Sequence, residues 1–301
     1  MGSGYLHPAY AKALSSIGTP FELPRSGGWV LVRSVPDSYC LDGVGCYPLF
    51  TCRDWENLPS DIEEIKGTLV SLSLVADPFG KYDESLLRRC FPDIFFAYKQ
   101  HYVIDLRHLP QFISRHHARN VRKARGKVDV EFCPDPEMFA DEWAGLYCCL
   151  VQLRAVKGMA AFSAESLARQ LRVPGLVMFR AVCEGETVGA ILWFVQEDVG
   201  YYHLAAYNAA GYALGASFAL FSRSIEFFES RLRWLNLGAG AGIHCSGKDG
   251  LTRFKSGWAT GTRTAYFCGR ILDIPRYREL VARQAGPGTG YFPAYRRGEF
   301  Q

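Results

Sequence analysis

Three β-rich runs follow one another with almost no chain between them: LVMFRAVC (176–183), TVGAILWFVQ (187–196) and GYYHLAAY (200–207). The links EGE and EDV are too short for anything but antiparallel hairpins, so a three-stranded meander is the fixed point around which the rest must arrange itself. The chain then runs through AAYNAAGYALGASFALF (205–221), a strand end followed by two spaced glycines, Gly211 and Gly215. A helix is expected over 215–231, because Phe218, Phe221, Ile225 and Phe228 recur at three- and four-residue spacing and give it one face for a sheet. A glycine-flanked helix start is a natural cradle for an anion, since its first N–H groups have no partner within the helix. Glycine also serves a tight turn and nothing more, and the stretch alone does not decide between the two.

The elements around the meander follow from their punctuation. SRHHARNVRKARGK (114–127) reads as a basic helix capped by Ser114, with Arg115, Arg119, Arg122 and Lys123 on one broad side. KVDVEFC (127–133) alternates as a half-buried strand. Helices are expected over 135–156, opened by Asp135 and Pro136, and over 163–173, capped by Ser163 and stopped before Pro174. After the quoted helix come a short buried strand (233–237), a glycine-rich loop (238–250), one or two helical turns (251–259), a last strand (262–268) and a helical tail. The first half is less legible. GWVLVRSV (28–35) and GTLVSLSLVA (67–76) are β-rich, 83–91 is a short helix and 94–106 is a strand pair or one bent strand. The first 26 residues are turn-rich, RDWENLPSDIEEIKG reads as an acidic loop, and the sheet order of this half stays open.

At 301 residues, with 49% hydrophobic and 21% charged residues, the chain can bury one large core or two small ones. No apolar run approaches the roughly 20 residues of a membrane span. The start, MGSGYLHPAYAKAL, has neither a basic segment followed by an apolar block nor a myristoylation pattern, and a cytoplasmic location is expected. Ten cysteines include no Cys-x-x-Cys pair, so reduced, space-filling thiols are expected and no metal. A net charge of +4 is too mild for a general polyanion binder; the positive charge is local to the basic helix.

The succession strand, two helices, meander, helix, strand, short helix, strand over residues 127–268 resembles the GNAT (Gcn5-related N-acyltransferase) fold element for element. SRHHARNVRKARGKVDVEF resembles the entry to the second GNAT module of Fem-like and BioF2-like acyltransferases, and LNLGAGAG…DGLTRFKSGW resembles their closing signature. The resemblance implies an α/β (α+β) protein of two tandem GNAT-like lobes: residues 1–110, degenerate, and residues 111–301, the acyltransferase domain with a short tail. It implies transfer of an acyl group from acetyl-CoA or another acyl-CoA to an amine acceptor by direct attack in a ternary complex. That acceptor is a small molecule or an envelope precursor, and no DNA partner is expected. Two rivals stand beside this. One is Fem-type aminoacyl transfer from charged tRNA to a cell-wall precursor, against which the lack of a long heptad segment counts. The other is a binding protein that kept the fold without the chemistry.

By the same resemblance the turn after the fourth GNAT strand holds the donor's pyrophosphate, which here selects Ala206, Asn208, Gly211, Gly215, Ala216 and Ser217. The family pattern Gln/Arg-x-x-Gly-x-Gly/Ala is imperfect: Asn208 departs at the first position of one frame, and Tyr212 and Ser217 at both ends of another. For proton handling the candidates are His203, Tyr207 and His244, set against their reading as ordinary core or loop residues. Tyr202 neighbours His203 on the opposite strand face, while Glu186 and Asp198 read as solvated hairpin carboxylates. Lys255, in the Phe-Lys segment, is the candidate for steadying an oxyanion or a substrate carboxylate or phosphate. Arg119, Arg122 and Lys123 are the candidates for gripping substrate phosphate, since guanidinium forks match phosphate oxygens; a plain solvated face is their alternative.

Overall fold

The computed structural model of the chain describes residues 2–111, 114–240, 249–284 and 290–299. In chain order its regular elements are α1 (Pro8–Ala13), β1 (Thr19–Leu23), β2 (Gly28–Ser34), β3 (Leu41–Gly45), α2 (Leu58–Glu64), β4 (Ser71–Val75), α3 (Glu84–Cys90) and β5 (Ile94–Asp105). There follow α4 (Arg115–Arg125), β6 (Asp129–Cys133), α5 (Ala140–Arg154), α6 (Ala164–Leu171), β7 (Leu176–Cys183), β8 (Glu186–Gln196) and β9 (Val199–Tyr207). The last are α7 (Ala209–Leu214), α8 (Ala216–Phe228), β10 (Trp234–Gly238), α9 (Gly250–Ser256), β11 (Gly261–Ile271) and α10 (Ile274–Gln284). Two compact units draw on interleaved stretches: 1–4, 100–156 and 163–263 form one, and 5–99, 157–162 and 264–301 the other.

In the second of these units the strands run β1-β2-β3-β4-β11, antiparallel except for the parallel β3/β4 pair. Leu58 and Ile62 of α2 and Leu86 and Leu87 of α3 bury against Leu72, Leu74 and Phe50. The carboxylate of Asp42, fully buried, is held by Arg296, whose Nη2 donates to Oδ1 at 2.9 Å, and by Arg33 at 3.4 Å. Four of these elements lie outside the sequence reading, the first being α1, within the residues read as turn-rich. The residues read as turn-rich contain β1, those read as an acidic loop contain α2, and β3 is a strand with two glycines.

In the other unit the order is β5-β10-β9-β8-β7-β6, with the meander β7-β8-β9 antiparallel as expected and β10 parallel to β9. β8 is buried nearly throughout because both its faces are covered. Trp193 meets Phe221 and Phe228 of α8 at 5.7 and 5.6 Å between ring centroids, and its indole donates to Ser224 Oγ at 3.1 Å. Phe194, the next residue, faces the other way and lies 4.5 Å from His203. Side-chain caps fix several helix starts: Ser114 for α4, Ser163 for α6, Asn208 for α7 and Asp249 for α9 each accept an N–H two or three residues into the helix.

One expected element is corrected. The helix expected at 215–231 is preceded by a separate short helix, α7, and Gly215 joins the two in the left-handed region (φ 71°), where a side chain is strained. Gly211 lies inside α7, packed so closely on β8 that an added Cβ would come within 2.0 Å of the Val188 carbonyl oxygen. Its glycine is a packing requirement, since that oxygen belongs to backbone and cannot swing aside. Gly211→Ala is expected to cost about 3 kcal/mol of stability, at the upper end of overpacking penalties, measured by urea unfolding. A variant as stable as the parent would show that α7 can lift from β8 freely.

Candidate active site at the split between β9 and β10

β10 and β9 share only three paired positions, Trp234↔Val199, Leu235↔Gly200 and Asn236↔Tyr201. Beyond them each strand carries an extra residue. In β9 the partners step from Leu192↔Leu204 to Trp193↔Tyr202, leaving His203 as a bulge. In β10 the partners on β5 step from Asn236↔Val103 to Gly238↔Tyr102, leaving Leu237 over. A bulge bends its strand and sharpens the local twist, and two bulges just past the last shared pair turn the strands away from each other. Among the described residues, 202–207 of β9 have no strand partner on the β10 side.

Lys255, on α9, stands in this opening. It is 5% exposed; its Nζ donates to the Ala239 carbonyl just beyond β10 at 2.6 Å and lies 5.3 Å from the Tyr202 ring centroid on β9. The ammonium therefore bridges the two diverging strands through a carbonyl dipole on one side and a ring face on the other. Asn236 shapes the same turn: its buried Oδ1 accepts the Gly238 N–H at 2.9 Å and lies 3.0 Å from His101 Nδ1. Its one sequence signal is a lone Asn in the otherwise apolar WLNLG run.

The anion cradle expected at the mouth is partly filled by the chain itself. The Gly211 N–H, expected to face a phosphate, donates to the Asn208 side chain at 2.9 Å, so these two residues cap a helix instead. The N–H groups of Ala216 and Ser217 differ: among the described residues neither is used in a hydrogen bond, and they open the longer helix α8 behind Gly215. Ala206, buried in β9, pairs with Ala190. Arg154, at the end of α5, places its guanidinium 5.9 Å from the Tyr212 ring on α7, a cation beside the cradle that no motif pointed to.

Of the proton-handling candidates, His203 is the bulge residue itself. Its Nε2 is 2.7 Å from Gln170 Oε1 on α6, and burial pushes its pKa down to about 3. A neutral imidazole so enclosed belongs to the core on the side of the sheet away from α8, not to a proton relay at neutral pH. Tyr207 ends β9 on the α8 side, buried, with Tyr212 5.4 Å away. Burial, then Tyr202 and Tyr212, raise its pKa well above the ordinary phenol value, so it stays a donor. His244 lies outside the described residues. Glu186 and Asp198 are hairpin residues, as expected.

Arg119, Arg122 and Lys123 lie exposed along α4, and among the described residues none is in an ion pair, whereas Arg125 is paired with Glu226. Buried cysteines fill space as expected at 46, 52, 90, 133 and 268, while Cys148 and Cys149 are exposed. Among the described residues no cluster of His, Cys, Asp or Glu is placed to hold a metal ion, and no helix is long and apolar enough to cross a membrane.

Residues 112–256 match the sequence profile of the acetyltransferase (GNAT) domain. The fold resembles the crystal structure of FemX, at 12% identity and a TM-score of 0.65, over 90% of this chain and 92% of that one. It also resembles L-PGS from Bacillus licheniformis, at 18% identity and a TM-score of 0.60, over 93% and 98% of the two chains. At such identities the likeness speaks for fold alone. No curated protein matches the sequence. Residues 112–256 of the chain thus form a GNAT-type acetyltransferase domain.

The His203 environment has a consequence for acid stability. The folded-state pKa is depressed from 6.5 to about 3, so as pH falls the unfolded chain takes up this proton first. The stabilisation is whole above pH 6.5 and drains away toward the folded value, by about 1.4 kcal/mol per pH unit from this group. Urea unfolding of the parent and of His203→Phe at pH 7, 5.5 and 4 is expected to show a shallower acid limb in the variant. Equal slopes would remove His203 from the acid response.

Proposed function

We propose that the protein moves an acyl group from an acyl-CoA thioester to an amine acceptor held in the same complex. The observation that carries this reading is the split between β9 and β10 with a buried ammonium standing in it. An extended pantetheine arm needs a strand-like slot, and residues 202–207 of β9, which among the described residues have no strand partner on the β10 side, offer one. The diphosphate then falls at the start of α8, where the Ala216 and Ser217 amides and the positive end of the helix dipole face it. Arg154 adds a cation at the same end.

In the transfer step the acceptor nitrogen attacks the thioester carbonyl carbon, the carbonyl oxygen takes up negative charge, and the carbon–sulfur bond breaks as the amide forms. Lys255 is the group that steadies the oxyanion, because a fixed ammonium in a dry site costs no reorganisation as charge develops. Tyr207, kept protonated, donates a hydrogen bond toward the leaving sulfur, and the thiolate takes its proton from solvent. The acceptor enters as the free amine and yields its second proton to solvent. Arg119, Arg122 and Lys123 are assigned to an acceptor phosphate, which fits a small-molecule or envelope-precursor amine.

The same basic face favours one competing donor, charged tRNA, and the two are separable. Saturating acetyl-CoA at about a hundred times its Kd stabilises a binder by about 2.7 kcal/mol, read as a rise in melting temperature. Stabilisation by charged tRNA alone, weakening steeply with salt, would instead place the protein among tRNA-dependent transferases. Within the acyl-CoA reading, Lys255→Met is expected to lower kcat for thiol release by about 100-fold, the loss typical of one oxyanion donor, with donor affinity within a few-fold. An unchanged kcat would remove Lys255 from the chemistry.

A further inference from the structure

His117 is a buried histidine on the basic helix, 5% exposed, and nothing in the transfer step uses it. Its Nε2 is 2.8 Å from the Phe254 carbonyl oxygen and its Nδ1 is 2.8 Å from Ser114 Oγ. A carbonyl only accepts, so the ring proton sits on Nε2, and Nδ1 takes the serine proton. The acceptor matters. Phe254 is in the last turn of α9, where carbonyls lack helical partners, and the backbone bonds that close this helix go to Arg253 and Lys255 instead.

The ring also fixes α9 by shape. It lies against the edge of Trp258 at 5.1 Å and against Phe254 at 5.7 Å between centroids. It covers Gly257 so closely that an added Cβ would stand 2.0 Å from ring carbon Cε1. On its other side it meets Phe218 of α8 at 5.2 Å, one residue beyond Ser217. One imidazole thus contacts residues 254, 257 and 258, which bracket Lys255, and also the first turn of the helix assigned to the diphosphate.

We propose that His117 is a positioning residue: by holding the Phe254 carbonyl and seating Gly257 and Trp258, it sets the height of α9 and hence where the Lys255 ammonium stands in the split. The proposal rests on the reading of Lys255 given above. It predicts that the effect of His117 runs through Lys255 and not through general stability.

A double-mutant cycle tests this, with kcat for thiol release from acetyl-CoA in the presence of a primary amine as readout. His117→Phe keeps an aromatic ring and loses the donor. It is expected to lower kcat by about tenfold, with KM for acetyl-CoA changed less than about threefold. In a Lys255→Met background it is expected to cost less than about twofold more, the signature of residues acting as a unit. His117→Gln, whose amide N–H can reach the same carbonyl, is expected to recover most of the loss. A readout independent of turnover is reductive methylation of Lys255 followed by mass spectrometry, expected to quicken in His117→Phe and not in His117→Gln. Should His117→Phe not fold, Gly257→Ala, which displaces the ring and spares both its partners, takes its place in the cycle.

Additive losses in the cycle, or equal losses in the Phe and Gln variants, overturn the positioning role and leave Lys255 in place. A Lys255→Met enzyme with undiminished kcat overturns both.

Discussion

A parallel pair of strands in the middle of a sheet ordinarily zips along its length, because every unpaired N–H and carbonyl left inside is costly. Here β10 and β9 stop after Asn236↔Tyr201, and the reason is local: each strand spends one extra residue, His203 or Leu237, just past that pair. The fold around the break is arranged to tolerate it. His203 is absorbed on one face by Gln170 and Phe194, and Asn236 closes the Gly238 turn that its own strand can no longer stabilise through a neighbour. Lys255 then meets both diverging strands at once.

What holds the opening in shape is packing at its two flanks. On one side α8 lies over Trp193 and Tyr202 through Phe221. On the other side of α8, Phe218, Phe254 and Trp258 close an aromatic cluster around His117. Aromatic pairs of this kind add directional preference to area burial, which a cluster of Leu would not supply. The helix that opens at Ala216 and Ser217 and the helix that carries Lys255 are thereby seated on shared rings, so the two are not independent.

The meander, the cap residues and the phenylalanine face of α8 were legible because each rests on short-range periodicity or on a link too short to go elsewhere. β1 was not, since TPFEL is mostly exposed and opens next to a proline; β3 was not, since LDGVG has two glycines where a strand usually carries side chains. α2 was read as a loop because its acidic residues hide the buried pair Leu58 and Ile62. In the site, Gly211 and Gly215 were recognised as special but for a shared reason that the structure divides: one needs closeness to Val188, the other a positive φ. The bulge at His203 left no trace in the sequence, because a strand with one residue too many looks the same as one without. His117 could have been found: a histidine on the apolar side of a helix otherwise crowded with arginine has to be satisfied by something.

The buried ammonium is the most expensive part of this arrangement, and its surroundings show how the expense is managed. Lysine removed from water ordinarily loses its proton or finds an anion. Lys255 meets a carbonyl oxygen and the face of a phenol ring, dipolar partners for a cation. In the proposed transfer an ammonium fixed there meets charge that appears only during the reaction, and such differential stabilisation lowers a barrier where uniform stabilisation cannot. The position of that ammonium, rather than its mere presence, then decides how much is gained, and so a helix seated by a histidine 138 residues earlier in the chain bears on the chemistry.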